Sequence, residues 1–151
     1  MVMREFHPEY FMEQALLEGR KARSLCESNP PVGCVLVSSD IIIARGHTNK
    51  PGEPHAEAMA LTQLSGDERD VSAYVTLEPC SFFGRTPSCA KTLVEHGVKE
   101  VFVGMVDPDS RNNGKGLHIL EEAGIKVTVG ILAERVKQDL EPYLASQTTS
   151  D

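Results

Sequence analysis

The sequence predicts an α/β fold, a mostly parallel sheet covered by helices on both faces. Three observations predict it. From residue 72 onward, apolar runs of strand length alternate with helical patterns across short connections. Before that, one helical pattern leads into two β-rich runs separated by a turn signal, which read as an antiparallel hairpin. The 151 residues show no internal repeat and no linker, and they suffice to bury a core without disulfide staples, so one domain is expected.

The first helix is expected over about 8–26, where Phe11, Met12, Ala15, Leu16, Ala22, Leu25 and Cys26 recur near three- and four-residue spacing. "ESNPP" ends it. "VGCVLVSS" and "DIIIARGH" form the hairpin about a Ser-Ser-Asp turn. After the loop "TNKPG", Pro54 suits the first position of a helix over about 54–65, because its missing N–H costs nothing there. "SAYVTLE" is the third strand. "TPSCAKTLVEHG" is a helix with Thr86 as N-cap, Pro87 at the first helical position and Gly97 past its end. "KEVFVGM" is the fourth strand, "GKGLHILEEAG" a helix stopped by Gly124, and "IKVTVG" the fifth strand. A last helix over about 132–144 carries the stripe Leu132, Val136, Leu140, Tyr143 and Leu144, and "SQTTSD" follows as a flexible tail.

Composition narrows the function classes. Hydrophobic residues at 40% and charged residues at 25% are ordinary for a globular chain. The net charge of -7 speaks against a non-specific grip on nucleic acid. No signal-peptide core and no run of membrane-spanning length is present, so a cytoplasmic protein without membrane contact is expected, and its four cysteines read as thiols or metal ligands.

Two stretches carry chemistry. "EPHAEAMAL" sets His55 and Glu57 two positions apart at a helix start, and "TLEPCSFFGRTPSC" supplies Cys80 and Cys89. Zinc takes imidazole nitrogen and thiolate sulfur, and a catalytic site uses three protein ligands with the fourth position open to water; His55, Cys80 and Cys89 are such a set. The expected elements put His55 and Cys89 in the first turns of two helices and Cys80 in a loop after a strand. Helix N-termini there favour thiolates. At ~100° per residue, His55 and Glu57 leave the helix ~200° apart, so only a centre beyond the helix end can use both. Glu57 is then a proton carrier for a metal-activated water rather than a fourth ligand. An H-x-E followed by a P-C pair, with the Glu a non-ligand acid/base, is the mark of zinc deaminases. The bland alternatives are a solvated first turn for His55 and Glu57 and core packing for the cysteines. Core packing is the best reading of Cys26 and Cys34, and a fourth ligand from the chain, such as Cys34, would argue against catalysis.

Eight residues separate Cys80 from Cys89, instead of the two of the short signature. With "NPPVGCVLV", "PGEPHAEAMAL", "AYVTLEPCSFFGRTPSC" and "VFVGMVDPD", this spacing resembles the pyrimidine deaminase domain of riboflavin biosynthesis, from about Tyr10 to Tyr143. The resemblance implies a three-layer α/β/α cytidine deaminase-like fold with a central five-stranded mixed sheet. It implies a Zn2+ cofactor and hydrolytic removal of an amino group from a diaminopyrimidine nucleotide, releasing ammonia. His55, Cys80 and Cys89 match the family's zinc ligands and Glu57 its proton shuttle; Asn29, His47, Arg85 and Asp107 match substrate-side positions. The chain departs from the usual pattern at Phe82, where the family has histidine, at Asp109 for asparagine, and at Ser110 for proline. Phe82 has a ring to stack on a heterocycle. Asn29 also reads as a turn residue, His47 as a polar strand end and Arg85 as a surface charge. Lys115 in "RNNGKG" suggests an anion site at a helix start. His7, His96 and His118 read as surface residues.

Expected organisation is therefore a deaminase domain over 1–145, a tail over 146–151 and no reductase domain, with a small heterocyclic substrate, a nucleotide by resemblance, in a homo-oligomer. The competing functions are a deaminase of another free pyrimidine or purine, a tRNA adenosine deaminase, and a non-catalytic zinc module. The long cysteine spacing and acidic balance speak against RNA, and Glu57 against a closed structural site.

Overall fold

The computed structural model describes residues 7–26, 29–50, 52–81 and 88–149. The elements run α1 (His7–Arg20), β1 (Gly33–Ser38), β2 (Ile41–His47), α2 (Ala56–Leu61), β3 (Ser72–Leu77), α3 (Cys89–Glu95), β4 (Glu100–Met105), α4 (Lys115–Glu122), β5 (Lys126–Val129) and α5 (Ala133–Thr149). All five expected strands and all five expected helices are present.

The strands form one sheet in the order β2-β1-β3-β4-β5. The hairpin forms about Ser39 and Asp40, whose φ values of 52° and 63° supply the left-handed pair that a tight two-residue turn needs. β1 pairs antiparallel with β3 as well as with β2, while β3, β4 and β5 are parallel. The sheet is therefore mixed, half antiparallel by pairings, rather than mostly parallel. The strand alternation reported only the later crossovers; the β1–β3 pairing joins segments separated by α2 and leaves no local mark.

Alternate residues along each strand face opposite layers. Cys34, Leu36, Ala73, Val75, Val101 and Val103 pack under α2, α3 and α4, against Ala60, Leu93 and Leu120. Val35, Val37 and Tyr74 face α1 through Phe11, Met12 and Ala15, and Tyr74 stacks on Phe102 at 4.4 Å between centroids. Val136, Leu140 and Leu144 of α5 join Leu16 and Leu77 on that same side. Three layers result, as the resemblance implied.

Several boundaries shift. α1 stops at Arg20, because residues 21–25 turn back with short-range bonds such as Ala22 N–H to Gly19 O at 3.0 Å. Ala22 and Cys26 are buried from those turns and prolonged the apolar spacing without helix. α5 continues to Thr149, so the expected tail is helical through that residue; its polar composition carried no apolar stripe to reveal it. Among the described residues no helix is long and apolar enough to cross a membrane.

Candidate metal centre and active site

The loops at one edge of the sheet build the site. Gly33 at the start of β1 pairs with His47 at the end of β2, and its N–H donates to Thr76 Oγ1 near the end of β3 at 3.1 Å. The segments before β1, after β2, after β3 and after β4 therefore emerge together.

α2 is seated on this edge by Gly46. A Cβ at Gly46 would overlap the carbonyl of Ala56, so the helix backbone lies directly on β2. His55 is the N-cap of α2, with extended backbone at φ -72° and ψ 173°, and Pro54 precedes the helix instead of opening it. The imidazole makes no capping bond; Nδ1 lies 3.3 Å from Cys89 Sγ and 4.0 Å from Cys80 Sγ. Glu57, in the first turn, is buried at 4% exposure.

Cys80 follows β3 and is tied to the start of α3. Its Sγ accepts the Cys89 N–H at 3.2 Å, and its carbonyl accepts the Ala90 N–H at 3.0 Å and the Ser88 hydroxyl at 2.8 Å. Ser88 is the N-cap of α3, its hydroxyl accepting the Lys91 N–H at 3.3 Å, so the helix begins two residues beyond the expected Thr86. Thr86 and Pro87 lie outside the described residues, as do Phe82 and Arg85. Cys89 lies in the first turn of α3, as expected, but at the first helical position, where Pro87 was expected.

One donor atom each from His55, Cys80 and Cys89 falls within 4.8 Å of the other two. Two sulfurs and one imidazole nitrogen at that spacing suit a tetrahedral zinc with one open position. Cys34 is not a member of this group; it is fully buried in the core, and burial, then Glu57, push its thiol up. Cys26 is likewise buried.

The electrostatics match a thiolate-bearing centre beside a proton carrier. Hydrogen bonding from Cys89, then from His55 and the Cys89 amide, lowers Cys80 to about 4. The same contact with Cys80, together with burial, pushes Cys89 well up. His55 is raised chiefly by its bond to Cys80. Burial, reinforced by Cys80, raises Glu57 to about 7.

The remaining expected substrate residues sit on the same edge. Asn29 lies in the turn before Pro30, and Thr48, next to His47, ties that turn down by donating from Oγ1 to Pro30 O at 2.9 Å. His47 Nδ1 lies 3.0 Å from Thr48 O. Asp107 and Asp109 follow β4; Asp107 Oδ1 accepts the Asp109 N–H at 3.0 Å. Asp109 is gripped by Arg111, with Nη2 to Oδ2 at 2.6 Å, and this holds its carboxyl below the ordinary value. The anion standing where the family has an amide is thus balanced within its own loop.

The backbone amides at the α4 start beside Lys115 are not free to hold an anion. The amides opening α4 are already taken: Gly114 and Leu117 donate to Glu78, and Gly116 donates to Asn112 Oδ1. Glu78 and Asn112, 3% and 0% exposed, were not singled out in the sequence. The signal for Glu78 was a carboxylate ending an otherwise apolar strand just before Pro79; "RNNG" gave Asn112 no distinction from an ordinary turn. His96 and His118 are exposed as expected, His118 beside Glu122 at 3.2 Å.

Residues 6–105 match the family model for the cytidine and deoxycytidylate deaminase zinc-binding region, and the chain belongs to that family. It is 43% identical over 139 residues to the riboflavin biosynthesis protein RibD of Chlamydia pneumoniae, covering 92% of this chain and 37% of that protein. The structure of Acinetobacter baumannii RibD superposes with a TM-score of 0.89 at 40% identity, over 95% of this chain and 40% of that one. A diaminohydroxyphosphoribosylaminopyrimidine deaminase/5-amino-6-(5-phosphoribosylamino)uracil reductase from Thermotoga maritima also matches at 0.89, with 36% identity over 96% of this chain and 42% of that one. The chain thus spans well under half the length of these relatives.

Proposed function

We propose that this chain is a zinc-dependent hydrolytic deaminase that releases ammonia from a diaminopyrimidine ribosylamino 5′-phosphate of riboflavin biosynthesis. The observation that carries this reading is the convergence of His55, Cys80 and Cys89 within 4.8 Å, with the buried carboxylate of Glu57 beside them. The substrate class comes from the relatives, whose names specify riboflavin biosynthesis and a pyrimidine deaminase.

His55, Cys80 and Cys89 hold the metal, which when bound supplies Lewis-acid activation of water near neutral pH. Glu57 takes one proton from the attacking water and delivers it to the ring nitrogen, then takes the hydroxyl proton of the substrate adduct and delivers it to the amine, which leaves as ammonia when the C–N bond breaks. Burial keeps the carboxylate out of bulk water, so the proton it carries goes to substrate. Asn29, His47, Asp107 and Asp109 are the substrate contacts of this reading, joined by Phe82 and Arg85 on the strength of the sequence resemblance alone. Residues 1–145 act as one deaminase domain, in a cytoplasmic homo-oligomer.

The test is ammonia release by the zinc-loaded protein given the diaminopyrimidine nucleotide, with Glu57→Gln beside it. Release that the variant loses supports the reading. No release from a folded, zinc-bound protein rejects the substrate, and equal release by the variant rejects the role of Glu57.

A further inference from the structure

We infer that Glu78 is a positioning residue for the metal centre, locking the loop that carries Cys80 to the loop that carries Asp107 and Asp109; this rests on Cys80 being a zinc ligand. Glu78 sits two residues before Cys80 but turns away from it, into the interior. Its Oε1 accepts the N–H of Asp107 at 3.1 Å and of Gly114 at 2.9 Å, and its Oε2 accepts the N–H of Leu117 at 3.2 Å. A carboxylate is the side chain that can only accept on both oxygens, and here each oxygen faces backbone donors. The main chain of Glu78 is fixed too, its N–H donating to Met105 O at 3.0 Å.

Asn112 completes the lock. Its Nδ2 donates to Pro79 O at 3.2 Å and to Asp107 Oδ2 at 3.3 Å, while its Oδ1 accepts the Gly116 N–H at 3.1 Å. Gly116 has no room for a side chain, since a Cβ there would overlap the Pro79 carbonyl. The peptide entering Cys80 is therefore clamped to the start of α4, and the peptide leaving it to Ser88 and Ala90 at the start of α3.

One carboxylate thus sets both the position of a sulfur donor and the path of the substrate-side loop. Glutamine in its place keeps the shape but turns one acceptor into an N–H2 facing backbone N–H groups, which forces the two loops apart. A mere helix cap would cost stability and leave the metal and substrate sites alone.

The experiment measures Zn2+ affinity of the full chain by chelator competition, the Co2+ absorption spectrum, and the KM and kcat split, for wild type and Glu78→Gln. Positioning predicts a Zn2+ affinity lower by about tenfold or more, a changed sulfur-to-cobalt band and a raised KM. Wild-type Zn2+ affinity, spectrum and KM in a variant with only a lower melting temperature overturn it. If the variant does not fold, hydrogen exchange of the wild type decides. Zn2+ then has to protect the amides of Asp107, Gly114 and Leu117 by a larger factor than those of α5, and equal protection rejects the inference. Failure of the wild type to bind Zn2+ instead removes the ligand assignment, and this inference with it.

Discussion

Gly46 on β2 and Ala56 at the start of α2 lie backbone against backbone, with no space between them for a methyl group. That contact sets the height of α2 over the sheet, and so the location of His55 and Glu57. Gly46→Ala should destabilise the fold by about 1–3 kcal/mol through overpacking. Because the displaced element carries a metal donor, zinc affinity should fall with it. Denaturant unfolding and zinc competition, run in parallel, check this; a loss of stability with zinc affinity intact would detach α2 from the centre.

Glu57 reaches the site without supplying one of the three clustered donor atoms. Glu57→Gln should therefore keep one zinc per chain while ammonia release falls by roughly 10²–10⁴-fold, the usual worth of a positioned proton carrier. Metal analysis beside the rate separates the two effects. Zinc lost along with activity would make Glu57 a ligand.

Asp109 and Arg111 offer a test of charge balance in the substrate-side loop. Their ion pair is largely exposed on the arginine side, at 67%, so its contribution to stability is small. Its effect on an anionic substrate is the informative quantity. On the proposed reading of a phosphate-bearing substrate bound at this loop, Arg111→Ala should raise KM with little change in kcat, more so at low salt, because it leaves the Asp109 carboxylate without its ion-pair partner. Adding Asp109→Asn should restore most of the loss, a coupling that a double-mutant cycle measures. Equal KM in all four proteins would put Asp109 away from the substrate.

Asp107 gives a pH signature. Burial raises its carboxyl above the ordinary value of 3.8, against the pull of the Asp109 amide and Asn112. A folded value above the unfolded one means its contribution is full below the unfolded value and is lost as pH rises through the folded value. Relative to Asp107→Asn, the wild type should therefore lose stability between that ordinary value and neutral pH, whatever constant offset the substitution adds. Thermal melts of both proteins across that range read the slope. A wild type that gains on the variant as pH rises contradicts the assignment.

The alternation of strands and helices was legible because each element marks itself locally, by apolar period and by Gly and Pro at its ends. His55, Cys80 and Cys89 were legible because a metal's donor chemistry restricts the residue types that serve it. What the chain did not announce was non-local. The antiparallel pairing of Cys34 with Val75 depends on partners brought together only in the folded sheet. Glu78 was hidden for the same reason, since the amides it binds belong to Asp107, Gly114 and Leu117, far along the chain. Ser88 replaced Thr86 as cap because its hydroxyl also serves the Cys80 carbonyl, a demand set by tertiary contact and not by helix preference.

The proposed site is a three-ligand zinc centre with an open position. X-ray absorption at the zinc edge of the purified protein, with metal content measured on the same sample, tests it most directly. One zinc per chain is expected, bound by two sulfurs, one imidazole nitrogen and one further light atom exchangeable with solvent. Three or more sulfurs, a closed shell of four protein ligands, or a folded protein that takes up no zinc would contradict it.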